Sequence, residues 1–265
     1  MVGVYDLRLR PIHYASVSGG KDSLYMLGLI LANPKKYPLD MVVNFDLEIE
    51  WQIAKNVVNE MQRSCEKIGV KFVRIKPRKT WQELYDRYGF PSASASARWC
   101  NASYKLDCKR QLNEWIKNQN CRPVAYIGLC ADEKKRFKYE IGSWENQDVC
   151  YPLAEEGISE RKILEWARKQ PIFEDYYKAL DRMGCMACPL AGKREWAYLL
   201  YKEPDIYERA IKRIAETERM VANKGREYRL NKMTAEELDY RIRNKWLPII
   251  KHDLEHGRFE QLSLF

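Results

Sequence analysis

The sequence predicts an α/β protein: a parallel twisted sheet with helices on both faces, followed by a helical C-terminal part. Three observations carry that expectation. Short apolar, β-branched runs alternate with longer runs of helical periodicity over the first 130 residues. A glycine turn joins the first strand-like run directly to the first helical run. Beyond residue 150 the alternation stops and helical spacing dominates.

The first strand-like run is residues 12–17. It ends at Ser18-Gly19-Gly20-Lys21-Asp22-Ser23, and residues 24–31 continue as an apolar run of helical length. Residues 40–46 read as a second strand closing on Asp46. Residues 50–68 place Trp51, Ile53, Ala54, Val57, Val58, Met61 and Ile68 at helical spacing. A third strand is expected at 70–75, a short helix at 80–88 and a longer helix at 102–118. Residues 91–97 form a loop of small residues, readable as a mobile lid or a plain linker. A further strand is expected at 124–129. Residues 151–153 read as a short extended piece, Ser159 as the N-cap of a helix through Ala167, and 194–223 and 234–256 as two more helices. With no repeat and no clear linker, the expected organisation is a nucleotide-binding core over 1–150. A segment over 151–265, with Cys-x-x-Cys and helices, packs against it as one unit.

A chain of 265 residues, 46% hydrophobic and 31% charged, can bury a full core and fits a soluble globular protein. No apolar run approaches the ~20 residues of a membrane span, and residues 1–10 lack a signal-peptide core. The expectation is a cytoplasmic protein with no membrane partner. The net charge of +9 suits an anionic ligand: a nucleotide, a sulfate ester or nucleic acid. The densest basic runs, 134–136 and 224–232, read first as solvated helix faces, with nucleic-acid binding permitted but not demanded.

The glycine turn has the chemistry of a phosphate cradle. Gly19 and Gly20 accept positive φ and carry no Cβ, so backbone N–H groups can converge on an anion. The following helix adds its positive end, Lys21 adds a full charge, and Ser18 and Ser23 add hydroxyls. The competing reading is an ordinary strand-to-helix turn capped by Ser18 or Asp22. It is not a Walker loop, because no Gly-x-x-x-x-Gly-Lys-Ser/Thr occurs. Fold rules put the turn, Asp46 and residues 128–133 on one carboxyl edge of the sheet.

Eight cysteines in a cytosolic chain are not expected to form a disulfide framework. Cys185 and Cys188, between Gly184 and Pro189, are spaced to chelate one metal or cluster, or to remain buried or redox-active thiols. Cys100 is the best further ligand. Arg98 and Lys105 near it are expected to lower its pKa and favour thiolate. Cys108 is eight residues on, roughly 12 Å along a continuous helix. Cys121, Cys130 and Cys150 are alternatives, and Cys65 reads as structural.

Several motifs now agree in order. The Ser18–Ser23 block resembles the PP-loop of the ATP-pyrophosphatase (adenine nucleotide alpha-hydrolase-like) superfamily. Arg98-Trp99-Cys100 with Lys105, Gly128-Leu129-Cys130-Ala131-Asp132-Glu133 with Arg136, Tyr151-Pro152-Leu153 and Gly184-Cys185-x-x-Cys188-Pro189 resemble landmarks of its phosphoadenylylsulfate (PAPS) reductase family. The resemblance spans roughly residues 12–200. It departs from the family at Leu47-Glu48, where Thr-Gly is usual. It departs again at Asn101, in place of a second adjacent cysteine, at Cys130, in place of a basic residue, and in having no cysteine after Cys188.

The resemblance implies an enzyme of sulfur chemistry with an adenine nucleotide, PAPS/APS or ATP. Lys21, Asp46 and Cys100 are the implied catalytic residues. Ser18, Gly19, Gly20, Lys21, Asp22, Ser23, Asp46, Gly128 and Arg136 are the implied nucleotide contacts, with Asp46 on the ribose or Mg²⁺. Cys100, Cys185, Cys188 and Cys108 would hold a [4Fe–4S] cluster or zinc, or supply thiols. Two chemistries fit: reductive cleavage of a sulfonucleotide to sulfite, and adenylation by ATP with sulfur transfer to tRNA or DNA. A non-catalytic nucleotide- or nucleic-acid-binding module is the third reading. A reductant or sulfur-donor protein and self-association stay open as partners.

Overall fold

A computed structural model describes residues 9–94, 98–137, 148–230 and 232–256. Its contacts divide the chain into two units, each discontinuous in sequence. One comprises Met1–Leu47, Gln52–Arg78 and Lys105–Glu174; the other comprises Glu48–Trp51, Lys79–Tyr104 and Asp175–Phe265. Residues 151–174, which composition groups with the C-terminal part, belong by their contacts to the first unit.

The first unit is built on a parallel sheet. Its described strands are β1 (Arg10–Val17), β2 (Met41–Phe45), β3 (Lys71–Ile75), β4 (Cys121–Tyr126) and β5 (Asp148–Cys150). They pair in the order β3-β2-β1-β4-β5, all parallel, with Tyr14 opposite Met41 and Ala125 in its two neighbours. Helices α1 (Lys21–Ala32), α2 (Gln52–Lys67) and α4 (Leu106–Asn118) connect the strands. Ile12, Tyr14, Met41, Val43 and Ala125 on one face pack with Leu112 and Ile116 of α4. The alternate residues Ala15, Val17 and Val42 are buried as well, so the sheet is covered on both faces. Helix α2 buries Ala54, Val57, Val58, Met61 and Cys65 along one stripe, whereas Ile68, read as part of the same spacing, lies past its end and is exposed.

Two local expectations change in this unit. Residues 151–153 are not extended: Pro152 opens a helical turn, α5 (Pro152–Glu155), because its fixed φ suits the first helical position. Strand β5 has no counterpart in the sequence reading. Helix α6 (Glu160–Ala167) starts as expected, with the Ser159 side chain accepting the Lys162 N–H at 3.3 Å.

The second unit is helical. Helix α3 (Trp81–Tyr88) begins with a capping box of Thr80 and Glu83. A π-helical turn, Cys100–Lys105, runs on into α4. Then come α7 (Tyr176–Ala179), α8 (Lys193–Lys202), α9 (Pro204–Ala222), α10 (Ala235–Arg241) and α11 (Leu247–His256). The single helix expected over 194–223 is broken, because Pro204 cannot continue α8 and instead starts α9. The helix expected over 234–256 contains a π turn, Ile242–Trp246, just before Pro248. Edge-on rings knit the core: Trp51–Tyr176 and Trp51–Tyr198 at 5.6 Å, Trp196–Tyr207 at 6.1 Å. Residues 95–97 of the small-residue loop lie outside the described residues. No helix among the described residues is long and apolar enough to cross a membrane.

Candidate functional site

The glycine turn follows the last residue of β1. Asn44, buried in the neighbouring β2, donates its side-chain N–H to the Val17 carbonyl at 3.0 Å and fixes the strand end from which the turn departs. Gly19 has φ +77°, and a Cβ there would stand 2.4 Å from the Ala54 carbonyl oxygen. Both its conformation and its space therefore require glycine. Gly20 is the N-cap of α1, and no side chain caps that helix. Ser23 Oγ donates to the Gly20 carbonyl at 2.9 Å and accepts the Ser18 N–H at 3.2 Å. The ordinary turn capped by Ser18 or Asp22 is thus not what forms. Gly20 and the turn thus stand at the positive end of a twelve-residue helix that has no side-chain cap.

Lys21 is the first residue of α1 and is only 1% exposed. Its ammonium lies 3.0 and 3.1 Å from the two oxygens of Asp22 and 3.4 Å from Glu160 Oε1 on α6. Burial works against its charge, but the Asp22 and Glu160 carboxylates outweigh burial, and its pKa lies above the ordinary lysine value. The loop after β4 closes in from the side. A Cβ on Gly128 would meet the Asp22 backbone at 3.2 Å, so the two loops abut where the strand order reverses between β1 and β4. Cys130 is fully buried, with its Sγ 3.7 Å from Asp22 Oδ1 and its N–H donated to Glu133 at 3.0 Å. Burial first, then the Asp22 and Glu133 charges, push this thiol far up, so it stays neutral.

The remaining expected contacts are otherwise engaged. Asp46 sits just past β2, with its N–H on the Ile75 carbonyl and its carboxylate 3.7 Å from Lys76 Nζ. Arg136 is exposed and paired with Glu133. Sequence reasoning missed three residues. Asn44 is signalled only as a polar break in an apolar strand. Asp132 stands inside the Gly128–Glu133 motif but is given no role of its own by the sequence; its carboxylate accepts the Glu160 N–H at 3.0 and 3.2 Å. Glu160 carries no local signal because its partners are remote in the chain.

The second unit holds the thiols. Trp99 packs on Trp81 at 4.7 Å and donates its indole N–H to the Gly89 carbonyl at 3.1 Å, which places the Cys100 turn. Burial, then the neighbouring Cys188, push the Cys100 thiol up to about 11 against the opposing pull of Arg98. This reverses the lowered value expected from Arg98 and Lys105: burial outweighs the local charge. Cys188 is also raised, by burial first, and accepts the Leu190 N–H at 3.4 Å. Between Cys185 and Cys188, Ala187 takes a left-handed φ of +51°, and the Met186 N–H is held on the Ile49 carbonyl at 2.8 Å. Arg98 Nε is buried with no hydrogen-bond partner among the described residues.

None of the eight cysteines is in a disulfide. Cys108 is fully buried on α4, in the first unit. Among the described residues no three Cys, His or carboxylate side chains converge on a metal-sized point. The thiols as placed among the described residues do not assemble the four ligands that zinc takes or the three or four thiolates that hold a cluster. Burial raises the thiols of Cys100 and Cys188 alike, and Cys185 lies on the same turn as Cys188.

No family model matches the chain. Two uncharacterized proteins of Methanocaldococcus jannaschii are similar to it. MJ0066 is 25% identical over 217 residues, covering 77% of this chain and 42% of its own length. MJ0973 is 25% identical over 199 residues, covering 74% of this chain and 46% of its own. The chain thus spans less than half the length of these curated relatives. Among solved structures, the U34-tRNA thiolase NcsA from Methanococcus maripaludis with its [4Fe–4S] cluster is similar at a TM-score of 0.41 and 15% identity, over 100% of this chain and 79% of that one. Likeness at that level leaves ligand and reaction to be argued from the residues themselves.

Proposed function

We propose that the chain binds ATP at the glycine turn, transfers its adenylyl group to an acceptor, and serves sulfur chemistry through its thiols. The observation that carries this reading is the buried Lys21, set between Asp22 and Glu160 at the uncapped N-terminus of α1. Such a site offers N–H donors, a helix dipole and a fixed cation to a polyphosphate. Carboxylates beside a polyphosphate repel it unless a hard divalent cation lies between them. Mg²⁺ is bound in this way, by one or two carboxylates plus substrate phosphates. Asp22 fits that role, and Mg²⁺ held there would neutralise charge on the phosphate oxygens.

In the proposed reaction an acceptor oxygen attacks the α-phosphorus, the bond to the β-phosphate oxygen breaks, and pyrophosphate leaves. The N–H groups of Lys21 to Ser23 and the Lys21 ammonium stabilise the charge that builds on the leaving group. Asn44 and Gly19 keep that cradle in place. Cys100 and Cys188 are the candidate sulfur-handling thiols. Sulfonucleotide reduction is the weaker alternative. The position of its phosphosulfate-recognising base is the buried neutral thiol of Cys130, and Arg136 is tied to Glu133. The +9 charge is compatible with a tRNA or DNA acceptor.

Calorimetric titration of the parent and Lys21→Ala with Mg·ATP and with PAPS, paired with assays for pyrophosphate and sulfite, tests this. Binding of Mg·ATP that is lost in the variant, with pyrophosphate released when bulk tRNA or DNA is added, is the expected result. Tighter binding of PAPS, with release of sulfite when a dithiol supplies the two electrons that the step consumes, would replace adenylation by reduction. Binding of ATP with no turnover on any acceptor would leave a binding module.

A further inference from the structure

We propose that Glu160 is the counter-ion that nucleotide displaces from Lys21, so that it selects the cation-bound polyphosphate over the bare one; this rests on the nucleotide reading above. The two carboxylates on Lys21 are not equivalent. Asp22 is adjacent in the chain and offers both oxygens, at 3.0 and 3.1 Å. Glu160 reaches over from α6 with one oxygen at 3.4 Å, and its side chain is 45% exposed against 33% for Asp22. A phosphate arriving at the uncapped turn must draw the Lys21 ammonium toward itself. The longer, single and more exposed contact yields first.

Only the side chain of Glu160 is placed to move. Its backbone N–H is held by both oxygens of Asp132, and the Ser159 hydroxyl caps the same helix end. Helix α6 is also fixed to α1 by Trp166, edge-on to Tyr25 at 5.1 Å. Glu160 therefore stays beside the cradle after it is displaced, a negative charge next to the incoming phosphates. Bare ATP must overcome that charge. ATP carrying a divalent cation brings less negative charge and is opposed less. The carboxylate acts through Lys21 and is a positioning and specificity residue.

The experiment is calorimetric titration of the parent, Glu160→Gln, Glu160→Asp and Lys21→Ala, each with ATP in EDTA and with ATP at saturating Mg²⁺. Glu160→Gln is expected to tighten bare ATP roughly fivefold and Mg·ATP less than twofold. Glu160→Asp keeps the charge but shortens the reach, and should fall between parent and Glu160→Gln for bare ATP. Equal changes in both nucleotide forms, as a merely structural role gives, would overturn the inference. So would weaker Mg·ATP binding with unchanged bare ATP, which makes Glu160 a cation ligand. If the parent binds, Lys21→Ala does not, and Glu160→Gln matches the parent, this inference falls while the nucleotide reading stands. If parent and Lys21→Ala alike bind neither form, the nucleotide reading falls and takes this one with it.

Discussion

Gly19→Ala tests the cradle most directly. The new Cβ would sit 2.4 Å from the Ala54 carbonyl oxygen, about 1 Å short of ordinary contact. That oxygen is backbone of α2 and cannot rotate away. Overpacking of this kind costs about 1–3 kcal/mol. The φ of +77° adds about 1–2 kcal/mol for a residue with a Cβ. The total is about 2–5 kcal/mol, which for a chain of this size lowers Tm by about 10 °C. Relief by moving the turn also spoils the alignment of the α1 N–H groups, so Mg·ATP affinity should fall at least tenfold. Gly28→Ala is the matched control. It lies within α1, the helix that follows the turn, with nothing within 4 Å of a Cβ, and should raise stability by about 0.5–1 kcal/mol with affinity unchanged. Thermal melts and calorimetry of the three proteins decide. A Gly19→Ala protein that melts within about 1 °C of the parent and keeps its ATP affinity would refute the reasoning.

Asn44→Ala leaves a buried void and withdraws a donor from the Val17 carbonyl; a loss of about 1–3 kcal/mol is expected in urea denaturation. Alkylation of Cys100 by iodoacetamide should keep accelerating up to pH ~11, as burial requires; a plateau near pH 8 would contradict the burial argument. The folded-state thiols of Cys65 and Cys100 are both raised to about 11. The unfolded chain therefore loses these protons first, and their contribution to stability is intact below pH ~8.5 and lost as pH climbs toward 11. A melting temperature flat from pH 8.5 to 11 would count against it.

The sheet was legible because its strands are short apolar runs bounded by turn residues, as residues 12–17 and 70–75 show. Strand β5 was not, since Asp148-Val149-Cys150 is too short for alternation to register and its pairing with β4 is long-range. The helix breaks at Pro204 and before Pro248 were written in the sequence, but apolar spacing on either side masked them. In the site, the glycines could be read because only glycine tolerates what the backbone does at Gly19. Glu160 could not be read, being 139 residues from Lys21. The Cys100 thiol was misjudged in sign because neighbours in sequence report charge, whereas burial comes from tertiary packing.

Ala187 gives the Cys185–Cys188 turn an unusual property. Glycine would adopt its left-handed φ without strain, whereas alanine gives up about 1–2 kcal/mol to do so. In exchange the reduced turn has far fewer shapes to sample, and the Met186 N–H on Ile49 narrows them further. The backbone that carries the two cysteines is thus narrowed to few conformations. A glycine at this position would release that constraint and let the two cysteines range over more relative positions.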